Sequence, residues 1–119
     1  MFISFTMIDR IHNELLTLKN PSQAKNLQRF FKTGEGEYGE GDVFLGITMP
    51  VQRIVATKYY REISLADVEK LLHSKYHEER MTALIILTYK FGKASDGEKK
   101  EIFDLYLRNT KFINNWDLV

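Results

Sequence analysis

The sequence contains no cysteine. This absence excludes a disulfide framework, a cysteine-ligated zinc site and a thiol nucleophile, and it fits the reducing interior of a cell. We therefore expect a cytoplasmic location. The chain also lacks any run of about 18 apolar residues, so no segment is predicted to span a membrane. The N-terminus has neither the basic region nor the long apolar region of a secretory signal.

The chain also has no excess of charge of one sign. It contains 17 basic and 16 acidic residues, and its formal net charge is +1. Net charge therefore indicates no partner, and a surface for nucleic acid has to come from local clustering of basic residues. The three histidines give no metal-ligand set, since His73 and His77 are four residues apart but flank a predicted turn. We expect surface or capping roles for them and no bound metal.

What the sequence does contain is enough apolar surface for one core. The 119 residues are 44% hydrophobic and include eight Phe and six Tyr, which predicts a single domain over residues 1–119. Apolar residues recur at steps of three and four, the period of an amphipathic helix. Six such segments begin near residues 7, 21, 50, 65, 77 and 96, and the first five end near residues 18, 32, 62, 75 and 91.

Capping patterns mark several of these boundaries. Asn20 followed by Pro21 starts the second helix, while Ser64 and Ser95 each open a capping box. Gly92 is predicted to cap the end of the fifth helix. The sequence is therefore predicted to be all-α, with a seventh helix beginning near the C-terminus.

Joining the helices first to second, third to fourth and fifth to sixth gives units of roughly forty residues. This spacing is typical of HEAT-like antiparallel helix pairs that form an α-solenoid of about three pairs, where each pair buries its apolar faces on the next. A compact six-helix bundle is the alternative architecture.

A loop rich in Gly and Glu, residues 33–46, separates the second helix from the third. Four glycines in its first part oppose regular structure. Its four acidic side chains would repel a phosphate, and the spacing of a calcium-binding loop is missing. A solvated flexible loop, a lid over a partner or ligand, and a metal site remain the alternatives.

Two segments carry a resemblance to a known family. One is residues 34–47 followed by Pro50 and Arg53, which includes the pattern Phe-Leu-Gly-Ile-x-x-Pro; the other is residues 112–119, Phe-Ile-Asn-Asn-Trp-Asp-Leu-Val. They resemble the N-terminal half of the AlkD-type DNA alkylation repair glycosylases. The resemblance implies a HEAT-like solenoid that hydrolyses the N-glycosidic bond of alkylated purines in duplex DNA, with no metal or organic cofactor.

The resemblance also implies roles for individual residues. Trp116 corresponds to an aromatic that faces the lesion, and the catalytic Asp would come directly after Val119. Thr48 occupies a position where some members carry a DNA-facing Gln. Basic residues that could contact duplex DNA are Lys25, Arg29, Lys32, Arg53 and Arg61, with Arg108 and Lys111 nearer the end of the chain.

These assignments have alternatives in the residues themselves. Basic side chains on helix faces are commonly solvated surface, and the single Trp116 could instead pack in a core or against a neighbouring chain. A non-catalytic helical-repeat interaction module is thus the alternative function. Apolar side chains at Phe103, Tyr106 and Phe112 further predict self-association through the C-terminal helices.

The 119-residue chain assayed alone is expected to have little or no glycosylase activity, and only weak, salt-dependent affinity for duplex DNA. A carboxylate next to the sugar stabilises the oxocarbenium charge of this reaction, and the resemblance places that carboxylate beyond Val119. The measurement is base release from duplex DNA containing 7-methylguanine. Turnover well above spontaneous depurination would contradict the expectation.

Overall fold

A computed structural model describes residues 6–30 and 43–112 of the chain, apart from the side chains of residues 27–30. These residues form six α-helices and a short 3-10 helix at Thr110–Phe112: α1 Met7–Thr17, α2 Pro21–Phe30, α3 Met49–Tyr59, α4 Leu65–Leu72, α5 His77–Lys93 and α6 Asp96–Arg108. The all-α prediction is confirmed. Most of the Gly/Glu-rich loop, Lys32, Trp116 and the predicted seventh helix lie outside the described residues.

Local side-chain chemistry sets several helix boundaries as predicted. The Oγ of Ser64 accepts a hydrogen bond from the backbone N–H of Asp67 at 3.1 Å. At α6, Ser95 and Glu98 each accept a bond from the other's backbone N–H, at 3.4 and 3.2 Å, which is a complete capping box.

Gly92 does not cap α5, contrary to the prediction. The helix continues to Lys93 and ends at Ala94, whose backbone is extended. Because the chain leaves α5 directly into the capping box at Ser95, it needs no left-handed residue there. The third and fourth helices also end about three residues earlier than predicted, at Tyr59 and Leu72.

The directions of the later helices follow from contacts at their ends. The backbone just before α3 contacts the first turn of α5 through Glu78, and Tyr60, just after α3, packs on Tyr89 near the end of α5, with 5.5 Å between ring centroids. The two helices are therefore parallel. Leu65 at the start of α4 and Ile102 in α6 line one cleft, and Glu69 meets Arg108 further along both helices. α4 and α6 are thus parallel to each other as well.

Helix α5 is the centre of the packing. It contacts α1, α3, α4 and α6, most extensively α3 and α4, and its Ala83 and Ile86 are fully buried. This very apolar helix therefore lies between neighbouring helices. The parallel layers suit stacked helix pairs, and α1 packs on α3, α4 and α5, which a compact bundle would also allow.

The buried face of α6 is narrow. Ile102 and Leu105 are buried, whereas Phe103 is 55% exposed and Tyr106 and Phe112 are half-buried. The stripe that reaches the core is the one set by the three-residue step from Ile102 to Leu105.

A buried carboxylate fixes the segment before α3. Glu78 is 0% exposed and accepts hydrogen bonds from the backbone N–H groups of Leu45, Gly46 and Ile47 at 2.8, 2.9 and 3.2 Å. The carbonyl oxygen of Leu45 accepts a bond from the N–H of Asn20 at 2.8 Å. The segment is therefore held between the start of α5 and the start of α2.

The same segment requires glycine at position 46. Gly46 has a φ of +84°, in the left-handed region, and a Cβ built there would overlap the carbonyl oxygen of Asn20. The tight approach of α2 to this segment thus depends on the missing side chain.

Replacing Glu78 by Gln is expected to lower the free energy of unfolding by about 1.5 to 3 kcal/mol. The variant loses the charge and places an NH₂ group where an acceptor is needed, so at least one buried N–H loses its partner. Urea denaturation measures the effect. Glu101→Gln, an exposed glutamate on α6, is the matched control, and a loss below about 0.5 kcal/mol for Glu78→Gln would contradict this role.

A second polar network joins α4 to the end of α6. Glu69 accepts two hydrogen bonds from the guanidinium of Arg108, at 2.8 and 2.9 Å, and one from the side-chain amide of Asn109 at 2.7 Å. Asn109 also contacts His73 at the end of α4, at 2.6 Å. The bonds from Arg108 and then from Asn109 lower the pKa of Glu69 from its ordinary value of 4.5 to about 2.

This network predicts a loss of stability in acid. Because the folded pKa of Glu69 lies below the unfolded value, its contribution is present above pH 4.5 and is lost as the pH falls towards about 2. The pair lies at the surface, so solvent screening keeps the contribution to about 1 kcal/mol. The free energy of unfolding, measured across this pH window, should vary less with pH in Glu69→Gln than in the wild type.

The control for that experiment is Glu62→Gln, which removes an exposed carboxylate that makes no ion pair with a described residue. It should keep the acid dependence of the wild type. The same pH dependence in Glu69→Gln as in the wild type would overturn the assignment.

Candidate nucleic-acid interface

The anchored segment leads directly into an exposed helix N-terminus. Thr48 is the N-cap of α3 and is exposed, and its hydroxyl makes no capping hydrogen bond. The carbonyl oxygen of the preceding Ile47 accepts a bond from the buried side chain of Gln52 at 2.8 Å. Gln52 therefore fixes this end of α3 from the buried side. Pro50 has no backbone N–H, so the donors suited to an anion are the first-turn N–H groups of Met49 and Val51 and the hydroxyl of Thr48.

Two of the predicted DNA-binding cations lie at this end of the molecule. Arg53 is exposed in the first half of α3, and Lys25 is exposed in α2 next to Ala24. The backbone nitrogen of Ala24 is 2.8 Å from the place a Cβ of residue 46 would occupy, so α2 lies directly against the anchored segment. Neither cation forms an ion pair with a described residue.

Arg61 lies at the opposite end of α3. The helix ends at Tyr59, so Arg61 lies beyond it, and at least about 9 Å of helix rise separates Arg53 from Arg61. The Nε of Arg61 donates a hydrogen bond to the hydroxyl of Tyr60 at 3.0 Å. This bond raises the pKa of Arg61 and lowers the pKa of Tyr60.

The remaining predicted contacts divide into two groups. Arg108 is engaged by Glu69, so it serves first to join α6 to α4, and Lys111 lies with its Nζ 5.1 Å from the ring centroid of Phe112. The structure does not describe the side chain of Arg29, and Lys32 and Trp116 lie outside the described residues. Their assignments stay predictions.

Two further cations, missed at the level of sequence, lie beside Arg61. Lys90 and Lys93 at the end of α5 line a cleft with Tyr60 and Arg61, and burial lowers the pKa of Lys90. Their spacing along α5 is visible in the sequence, but only the parallel packing of α3 and α5 brings them next to Arg61.

The expected surface or capping role is found for His73, which is exposed and is the C-cap of α4. His77 is 3% exposed and stacks on Phe44, with 4.4 Å between ring centroids, so the expectation of a surface position is wrong for it. The Nδ1 of His12 is 2.6 Å from the carboxylate of Glu79. Within residues 6–30 and 43–112, no group of three or more His, Asp or Glu side chains is placed to hold a metal ion.

Fold and surface together define an all-α protein that presents basic side chains around a fixed helix N-terminus. The family model described as DNA alkylation repair enzyme matches residues 11–119. The chain belongs to the DNA alkylation repair enzyme family, and the resemblance of residues 34–53 and 112–119 is thereby confirmed at the level of the family. Comparison with curated proteins and with solved structures gives no significant match. Among the described helices, none is both long and apolar enough to cross a bilayer.

Proposed function

We propose that this protein acts on alkylated duplex DNA as part of a DNA glycosylase and that the surface formed by Lys25, Thr48 and Arg53 binds the phosphate backbone. The family match over residues 11–119 is the observation that carries the proposal. The geometry is consistent with it, because Thr48 is the N-cap of α3, Arg53 lies in the first half of that helix, and the helix that carries Lys25 packs against the segment leading into α3.

The proposed chemistry suits a protein that contributes mainly binding and electrostatics. Alkylation at N3 or N7 gives the purine a positive charge and weakens its glycosidic bond, so the transition state places positive charge on the sugar. A fixed carboxylate can stabilise this charge and orient a water molecule. In the proposed assignment Trp116 lies beside the deoxyribose, where an indole face adds cation–π attraction.

The surface at the start of α3 fits phosphate for three physical reasons. The N-terminus of α3 carries a partial positive charge. The hydroxyl of Thr48 is not used in capping, and Arg53 and Lys25 have no carboxylate partner among the described residues. A phosphate would therefore not have to displace an existing ion pair.

Arg53→Ala is expected to weaken binding of a 7-methylguanine duplex. The plot of log K against log salt has a negative slope, and its magnitude should decrease by about 0.9, the contribution of one phosphate contact. Fluorescence anisotropy of a labelled duplex over a KCl series measures both quantities. The loss should be similar for an unmodified duplex, because a phosphate contact carries no sequence information.

Lys100→Ala is the matched control, since Lys100 is an exposed lysine on α6. It should leave the slope unchanged. Wild-type binding with no salt dependence would contradict the proposed function, and equal slopes for Arg53→Ala and the wild type would remove Arg53 from the surface.

A non-catalytic interaction module is the second candidate, and one observation favours it. Phe103 and Leu107 are four residues apart on α6 and are 55% and 50% exposed, so they form an apolar strip on one side of the helix. We propose that this strip supports self-association. Sedimentation equilibrium should then show a mass that rises with concentration and a smaller rise in Phe103→Ser, whereas a monomer at all concentrations would exclude it.

A further inference from the structure

A groove runs along the surface between the parallel helices α3 and α5. Its lining consists of Thr57, Tyr60, Thr88, Tyr89, Gly92 and Lys93. This set includes a lysine and no carboxylate. The groove begins one helical turn beyond Arg53, because the hydroxyl of Thr57 donates a hydrogen bond to the carbonyl oxygen of Arg53 at 2.8 Å.

The positive charge of the groove is concentrated at its far end. Lys93 is the last residue of α5, Arg61 follows the end of α3, and both are exposed. Neither forms an ion pair with any carboxylate in the described part of the chain. Both cations are thus available to an anion without the breaking of an internal ion pair.

Tyr60 connects these two cations. The residue is only 8% exposed and its ring packs edge-on against Tyr89. Its hydroxyl oxygen accepts the bond from Arg61, which leaves its own hydrogen free to donate, since no described acceptor takes it. A buried side chain therefore presents an unused donor next to two unpaired cations.

The nearest acids do not cancel this arrangement. Glu98 and Glu101 line the adjoining cleft on the α6 side, together with Lys90. The carboxylate of Glu98 already accepts bonds from the backbone N–H and the hydroxyl of Ser95, at 3.2 and 2.8 Å. Lys90 interacts electrostatically with Glu98 in the same cleft. The lining carries three cations, Arg61, Lys90 and Lys93, against these two acids, which leaves an excess of one positive charge.

We propose that this end of the groove binds a phosphate of the DNA backbone, through the charges of Lys93 and Arg61 and the hydroxyl hydrogen of Tyr60. Tyr60 is also a positioning residue, because it holds the guanidinium of Arg61. The inference rests on the proposed function and extends it to a second contact. Arg53 and Tyr60 are separated by about 10 Å along the axis of α3, so the two proposed contacts engage different phosphates.

The test measures duplex affinity over a KCl series with the full chain and single substitutions. Lys93→Ala and Arg61→Ala are each expected to lower the slope of log K against log salt by up to about 0.9. Lys100→Ala is the control and should keep the wild-type slope. Thermal unfolding of each variant shows whether it is folded at the assay temperature.

Tyr60→Phe separates positioning from packing. Phe keeps the ring against Tyr89 and removes only the hydroxyl, so a merely structural role would leave the affinity for DNA unchanged. We expect Tyr60→Phe to weaken binding in the wild-type background, and to weaken it much less once Arg61 is already Ala. Equal and additive losses in both backgrounds would overturn the positioning role.

The controls also distinguish the possible failures. If Lys93→Ala and Arg61→Ala keep the wild-type slope while Arg53→Ala lowers it, the second contact is overturned and the proposed function stands. If the wild type shows no salt-dependent binding, the proposed function itself fails. The remaining outcome is a site for free phosphate and not for DNA. In that case inorganic phosphate would shift the NMR signals of the backbone amides of Gly92 and Lys93, while Lys93→Ala would leave the salt dependence of DNA binding unchanged. This outcome also overturns the inference.

Discussion

The carboxylate of Glu78 accepts hydrogen bonds from three consecutive backbone N–H groups, and these bonds determine where the proposed DNA surface lies. A buried carboxylate is costly unless it is fully hydrogen-bonded, and here Leu45, Gly46 and Ile47 supply the donors. Glu78 also lies in the first turn of α5, where the helix dipole favours a negative charge. Because the same segment leads into α3, this anchor sets the starts of both helices relative to each other, and with them Thr48 and Arg53.

Much of this fold could be predicted from local patterns. The start of α6 could be predicted from Ser95 and Glu98, which form a capping box. The central position of α5 could be predicted from its run of apolar residues. The anchor could not be predicted, since Glu78 binds amides 31 to 33 residues away. In the sequence it reads only as an acid at a helix start. Gly46 is similar, because its need for a positive φ arises from the approach of Asn20.

The candidate site was predictable in its residue types and much less in its geometry. A basic side chain on a helix face reads the same whether it is free or paired. Arg108 is engaged by Glu69, which is 39 residues away in the chain, whereas Arg53 has no carboxylate partner among the described residues. Lys93 is a candidate phosphate ligand only because the parallel packing of α3 and α5 places it next to Tyr60. Long-range packing therefore decides which cations are available.

The two ends of the α3–α5 layer differ electrostatically, and this difference orders the two proposed contacts. At the start of α3 the helix dipole adds to the charge of Arg53, so both attract a phosphate. At the other end, α3 and α5 both expose carbonyl groups whose partial negative charge opposes one. Lys93 and Arg61 must first neutralise these helix ends, which is an ordinary stabilising role for cations there. Only their remaining charge attracts an anion, so we expect the proposed contact at the start of α3 to be the stronger of the two.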